Sequence, residues 1–226
     1  MTLIGLDLDG TLEDSRSDMV AAVRRVRAAL RLPPRPDEAI RPWVNRGMDQ
    51  LYRACFDDYL ARDQARLAEV RVRYEADYFD HVAHATRLYP GVRDALVRLA
   101  ALGRLAVITN KPERISRRLL EALGVERYFS AVIGGDTCAH SKPDPRVLHE
   151  AARRCGLDGS RQQAVMIGDS TADLELGRAF GAATIWCAWG YTAQPGVQPH
   201  FVATQPTQLP TLVQTALGAE VSAIRS

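Results

Sequence analysis

Asp7 and Asp9 stand two positions apart in Asp7-Leu8-Asp9-Gly10-Thr11-Leu12, directly after the apolar run Leu3-Ile4-Gly5-Leu6. A run this short and apolar predicts a buried strand. Such a strand delivers both carboxylates to its carboxyl end, the edge at which open α/β sheets bind ligands. Gly10 allows a sharp turn, and Thr11 adds a hydroxyl. Two acids beside one strand end repel each other, so the pair points to a cation or to acid–base work. A plain Asp-Gly turn after an edge strand is the competing reading. At average usage an Asp-x-Asp-Gly-Thr string arises by chance about once in 10⁵ positions, which weighs against it.

Of the 29 basic residues only Lys111 and Lys142 are lysines. A position that stays lysine against such an arginine bias asks for a compact ammonium rather than a planar fork. Lys142 lies in His140-Ser141-Lys142-Pro143-Asp144-Pro145, ahead of a helical pattern. Lys111 lies in Ile108-Thr109-Asn110-Lys111-Pro112, directly after the apolar run Leu105-Ala106-Val107-Ile108. Two chance survivors of the arginine bias remain the alternative, more so for Lys111. A fourth stretch, Gly168-Asp169-Ser170-Thr171-Ala172-Asp173, follows the apolar run Ala164-Val165-Met166-Ile167. Asp169 stands at the strand end, with Asp173 one helical turn further on the same face. Asp-Ser entering a helix is also an ordinary cap. What favours chemistry is recurrence: four strand–loop–helix passages supply carboxylates, a hydroxyl and amide, an ammonium, and carboxylates again.

The elements that carry these loops follow from periodicity. After residue 88, helical patterns alternate with apolar strands. The helices are one at 91–102, one carrying Ile115, Leu119, Ala122 and Leu123 and closed by Gly124, one with Val147, Leu148, Ala151 and Cys155 inward, one ending near Gly181 and one at 209–217. The strands are at 105–108, 131–133, 164–167, 183–187 and a short one at 201–202. Continuous apolar strands separated by amphipathic helices predict an α/β fold: a Rossmann-like parallel sheet covered by helices on both faces. Residues 15–86 offer no strand. Met19, Val23, Val26 and Leu30 mark one helix, Leu67, Val70, Tyr74, Tyr78 and His81 another, with shorter helical stretches at 38–44 and 49–60. The expected organisation is a core of residues 1–14 and 87–220, and an all-helical cap, 15–86, inserted after the first strand and placed to act as a lid. The tail after residue 219 is expected to fray.

At 226 residues the chain can build one substantial core and a smaller unit. Net charge is +2 with no basic block, so nucleic acid is not an expected partner. No apolar run reaches membrane-spanning length, and the acid at residue 7 argues against a secretory signal. Cys55, Cys138, Cys155 and Cys187 show no paired spacing, which fits reduced thiols and a cytoplasmic location rather than zinc or disulfides. A monomer or homodimer is expected. His81 and His84, three apart, fit surface or core positions better than metal ligation.

The four loops together resemble the motifs of the haloacid-dehalogenase-like hydrolase superfamily: Asp7-Leu8-Asp9-Gly10-Thr11, Thr109-Asn110, Lys142-Pro143 and Gly168-Asp169 with Asp173, in order. From Asp7 to Thr109 there are 102 positions and from Thr109 to Lys142 there are 33, so the insert resembles the helical cap that this superfamily places between its first two motifs. Within the superfamily, Val107-Ile108-Thr109-Asn110-Lys111-Pro112, Leu119-Leu120-Glu121-Ala122-Leu123, the stretch from Tyr128 to Asp136 and Trp189-Gly190-Tyr191 resemble bacterial phosphoglycolate phosphatases. The cap stretch Pro42-Trp43-Val44-Asn45-Arg46-Gly47 matches that family's Gly-Asn-Gly loop imperfectly, with Asn45-Arg46 in place of Gly-Asn.

The resemblance implies a phosphatase of small phosphate monoesters, 2-phosphoglycolate first among them, working through an aspartyl-phosphate. Asp7 is then the nucleophile and Asp9 the acid and base. Thr109, Asn110 and Lys142 stabilise the phosphate oxygens. Magnesium is held by the Asp7 and Asp169 carboxylates and the Asp9 carbonyl, with Asp173 orienting a bound water. Arg46 is a candidate for an anionic substrate group, and a solvent-facing role is its alternative. A phosphosugar mutase, a pyrophosphatase or a nucleotidase stays open beside this reading, as does, more remotely, a non-catalytic binding protein on the same fold.

Overall fold

The computed structural model describes residues 1–44, 46–157 and 163–223. The chain divides into two compact units, Met1–Glu13 with Leu88–Ser226, and Asp14–Arg87. Its strands are β1 (Leu3–Leu6), β2 (Glu13–Asp14), β3 (Arg87–Leu88), β4 (Arg104–Ile108), β5 (Phe129–Ile133), β6 (Ala164–Gly168), β7 (Ala183–Cys187) and β8 (Phe201–Ala203). Six of them form one sheet in the order β5-β4-β1-β6-β7-β8, while β2 and β3 form a two-stranded ladder. Every neighbouring pair in the large sheet is parallel. Leu3 to Leu6 pair with Arg104 to Val107 on one side and with Ala164 to Ile167 on the other. That central position explains why β1 is apolar at every residue: both faces and both edges are covered.

The Asp14–Arg87 unit is helical, with α1 (Arg16–Ala29), α2 (Asp37–Ile40), α3 (Met48–Cys55), α4 (Asp57–Leu60) and α5 (Leu67–Asp80). Met19, Val23 and Val26 of α1 are buried, as are Val70, Tyr74 and Tyr78 of α5, and these two long helices pack together. Arg27 is buried among them. It donates to Asp58 at 2.7 and 2.9 Å, to the Cys55 carbonyl and to the Pro33 carbonyl. A buried guanidinium is tolerable because its donors are so well used. The stretches expected as helices at 38–44 and 49–60 are each broken. Asp37–Ile40 passes into a 3₁₀ turn at Arg41–Trp43, where Pro42 cannot donate, and α3 is cut from α4 at Phe56, whose φ of −130° is not helical.

In the other unit the helices are α6 (Val92–Ala100), α7 (Glu113–Ala122), α8 (Arg146–Arg154), α9 (Thr171–Phe180) and α10 (Leu209–Ala223). Ala106, Ile108, Ile133 and Met166 meet Val147, Leu148 and Ala151 of α8 and Leu176 of α9 in one apolar cluster. Fully burying each larger side chain there stabilises by about 1.5–3 kcal/mol. The alternate residues Leu105, Val107, Val132, Val165 and Ile167 are equally buried, on the opposite pleat. α6 contacts β4, α10 contacts β7 and β8, and the two helices pack against each other. β5 begins two residues earlier than the apolar run, because Phe129 and Ser130 extend the ladder without being buried. The final helix continues to Ala223, past the point where fraying is expected; residues 224–226 lie outside the described ones. Among the described residues no helix is long and apolar enough to cross a membrane.

Candidate active site

β4, β1 and β6 lie side by side and run parallel, so the segments that follow them leave the sheet at one edge. Asp7 extends β1 by one step, its N–H donating to the Ile167 carbonyl at 2.9 Å, and its side chain is 7% exposed. The chain then turns, Leu12 N–H reaching the Leu8 carbonyl at 2.9 Å. Gly10 sits in this turn at φ +84°, and a Cβ there would stand 2.4 Å from Asp169 Oδ2. Conformation and room both demand glycine.

Lys142 arrives from the loop before α8 with its side chain 6% exposed. Its ammonium donates to Asp7 Oδ1 at 2.5 Å and to Asp173 Oδ1 at 2.7 Å. Asp173 is fully buried in the first turn of α9, where its other oxygen accepts from Ser170 N–H at 3.0 Å and from Ser170 Oγ at 2.6 Å. Ser170 and Asp173 thus form a capping box. The helix-cap reading of this segment and the chemical one are both true: the cap holds one Asp173 oxygen and frees the other for Lys142. Asp169 follows β6 directly and is buried, and its Oδ2 accepts from Tyr191 N–H at 2.5 Å. The carboxylates of Asp7, Asp169 and Asp173 each offer an oxygen within 4.8 Å of the others.

This is a pocket with surplus negative charge. Burial pushes the Asp7 carboxyl well up, and Asp173 and Asp169 push the same way against the pull of Lys142. Burial, followed by the Asp173 charge, pushes Asp169 up to about 6, opposed by the Tyr191 N–H. Burial works against the Lys142 ammonium, but Asp173 and Asp7 outweigh it and hold it protonated. Three acids facing one ammonium lack positive charge. A hard divalent cation fits them: the donors are carboxylate oxygens, and the cluster contains no imidazole or thiolate.

The loop after β4 supplies the second wall. Thr109 N–H donates to the Ile133 carbonyl at 2.9 Å, and Thr109 Oγ1 accepts from Lys111 N–H at 3.1 Å. Asn110 Oδ1 is buried with no hydrogen-bond partner among the described residues. Gly134 and Gly135 press against this loop: Cβ atoms on them would stand 2.2 Å from Glu113 N and 2.5 Å from the Asn110 carbonyl oxygen. Lys111 turns its ammonium to Asp9 Oδ1, the lysine side chain being 1% exposed and the Asp9 side chain 19%.

The structure therefore brings Asp7, Lys142, Asp169 and Asp173 together, and binds Asp9, two residues from Asp7, to Lys111. Arg46 belongs to the helical unit. It is exposed, its guanidinium lying 5.2 Å from the centre of the Trp43 ring, and its neighbour Asn45 lies outside the described residues. Two features escape a reading of residue types. One is the Lys111–Asp9 pair, signalled only by the rarity of lysine. The other is the Tyr191 N–H on Asp169, a backbone donor that has no residue signature. Gly190 is there for the same close approach, since a Cβ on it would stand 2.2 Å from Asp169 Cβ. Trp189 anchors that loop, its Nε1 donating to the Thr11 carbonyl at 3.1 Å and its ring meeting Tyr89 edge-on.

The sequence pattern of the haloacid dehalogenase-like hydrolases matches residues 4–187. This chain belongs to that family. It is 38% identical over 193 residues to a phosphoglycolate phosphatase of Pseudomonas putida, covering 84% of this chain and 70% of the relative. It is 39% identical over 191 residues to a phosphoglycolate phosphatase of Chromobacterium violaceum, covering 83% and 85%. Among solved structures, a predicted phosphoglycolate phosphatase from Haemophilus somnus superposes with a TM-score of 0.81 at 27% identity, over 94% of this chain and 97% of that one. As a family member this haloacid dehalogenase-like hydrolase is an enzyme, and its sheet and flanking helices are the family's architecture.

Proposed function

We propose that this hydrolase is a Mg²⁺-dependent phosphatase of small phosphate monoesters, with 2-phosphoglycolate as substrate, acting through an aspartyl-phosphate on Asp7. The observation that carries the reading is the Lys142 ammonium spanning Asp7 and Asp173, with Asp169 converging on the same point. The named relatives support the choice of ester.

Asp7 and Asp169 would hold Mg²⁺ with the Asp9 carbonyl, and Asp173 would orient a bound water beside them. The ion supplies neutralising charge that lets an anionic nucleophile approach an anionic phosphate. An Asp7 oxygen forms a bond to phosphorus while the bond to the leaving oxygen breaks, that oxygen taking its electron pair and a proton from Asp9. Asp9 then takes a proton from water, whose oxygen bonds to phosphorus. The Asp7–phosphorus bond breaks, restoring the carboxylate and releasing inorganic phosphate. Lys142, the Thr109 hydroxyl and the Asn110 N–H stabilise the phosphoryl oxygens. Arg46 would meet an anionic group of the substrate. The unpaired thiols of Cys55, Cys138, Cys155 and Cys187 support a cytoplasmic setting.

The test is phosphate release from 2-phosphoglycolate, with and without Mg²⁺, by wild type and by Asp7→Asn. Release that requires Mg²⁺ and disappears in a folded Asp7→Asn protein is expected, and Asp9→Asn should slow it by about 10²–10⁴-fold. Ordinary turnover by Asp7→Asn would end the nucleophile assignment. Transfer of phosphate between sugar hydroxyls without its release would point to a mutase.

A further inference from the structure

The mechanism above gives no task to the buried ammonium of Lys111. Lys111 is one of only two lysines in the chain, its side chain is 1% exposed, and its ammonium is held on Asp9 Oδ1. Burying an ammonium costs several kcal/mol even when it is paired. If orienting Asp9 were the whole task, a neutral hydrogen-bond donor would serve at lower cost. The position is also tightly built. The Lys111 carbonyl accepts from Gly135 N–H at 3.0 Å, its N–H donates to Thr109 Oγ1, and Pro112 follows as the N-cap of α7. The charge is placed by the backbone, not by a wandering side chain.

We propose that Lys111 is a specificity residue that recognises a carboxylate carried by the leaving group. The inference rests on the phosphatase reading above. In that reading the leaving oxygen must come within hydrogen-bond distance of Asp9 to receive its proton. Lys111 is bonded to that same Asp9 carboxylate, so its charge lies on the leaving-group side of the reaction, whereas Lys142 lies on the Asp7 side. In 2-phosphoglycolate a single methylene joins the leaving oxygen to a carboxylate. Turned toward the Thr109–Lys111 loop, that carboxylate enters ion-pairing reach of the ammonium. The attraction is that of a compact charge and does not depend on a vacant donor. A leaving group without an anion at that position gains nothing from it. The substrate class that follows is a phosphate ester of a 2-hydroxy acid.

The experiment compares 2-phosphoglycolate with ethyl phosphate, in which a methyl group replaces the carboxylate, for wild type, K111Q and K111R in Mg²⁺. Wild type should prefer phosphoglycolate in kcat/KM. K111Q should lower both rates but cut the preference by about 30-fold or more, the loss of a buried charge partner, mainly through KM, and K111R should keep part of it. A preference in K111Q within threefold of wild type would overturn the proposal and leave Lys111 as a positioning residue for Asp9. Should K111Q not fold, wild type decides: equal kcat/KM for the two esters would equally overturn it. Absence of phosphate release from either ester by wild type would instead sink the phosphatase reading, and this inference with it.

Discussion

Replacing Lys142 by methionine keeps the length of the side chain and removes the ammonium that joins Asp7 to Asp173 at 2.5 and 2.7 Å. The three side chains are 6%, 7% and 0% exposed, so water cannot take over the lost partnership. Breaking a buried ion pair by deleting one member costs about 3–5 kcal/mol, because the remaining charge is left uncompensated. For a chain of this size 1 kcal/mol moves Tm by about 2–4 °C, so metal-free Lys142→Met should melt about 6–20 °C below wild type. Mg²⁺ should then narrow the gap, since the variant's carboxylates carry more unneutralised charge for a cation to satisfy. The assay is thermal unfolding of both proteins in chelator and in Mg²⁺, with phosphate release alongside. A metal-free difference under about 3 °C, or a difference that Mg²⁺ leaves unchanged, would refute the electrostatic account.

Two further outcomes are expected. Asp169 has its carboxyl raised to about 6, so the metal-free fold prefers it protonated and loses stability as pH rises from the ordinary carboxylate range through 6. The Tm of wild type minus that of Asp169→Asn should therefore fall between about pH 4 and pH 7 in chelator and recover in Mg²⁺; a flat difference would contradict the burial argument. Arg46→Ala should raise KM for phosphoglycolate by about tenfold with little change in kcat, the signature of a lost binding contact. An unchanged KM would return Arg46 to a stacking role on Trp43.

Much of the site is legible because Asp7 and Asp169 follow apolar runs whose length already predicts a strand. Asp7 follows Leu3–Leu6, and Asp169 follows β6 directly. Lys142 was legible for a different reason, the scarcity of lysine around it. What stays hidden is whatever depends on pairing across the fold. The Lys111–Asp9 contact joins residues 102 positions apart, and the clamp of Tyr191 N–H on Asp169 uses an atom that every residue except proline has. Edges mislead for a related reason: Arg104, Phe129 and Ser130 join strands although their side chains are not buried, so hydropathy stops short of the hydrogen bonding. In the helical unit the breaks at Arg41–Trp43 and Phe56 are not carried by apolar periodicity, and Pro42 is the residue that signals the first of them.

The placement of β1 between β4 and β6 has a consequence for how the protein comes into being. Asp7 is synthesised well before the strands that flank it, which begin at Arg104 and Ala164. Pairings of such long range form late and slowly, and this one cannot be complete before residues 164–168 have been made. A chain that stops short of β6 carries Asp7 without Asp169 and Asp173, so the gathered acids mark the finished sheet and nothing earlier.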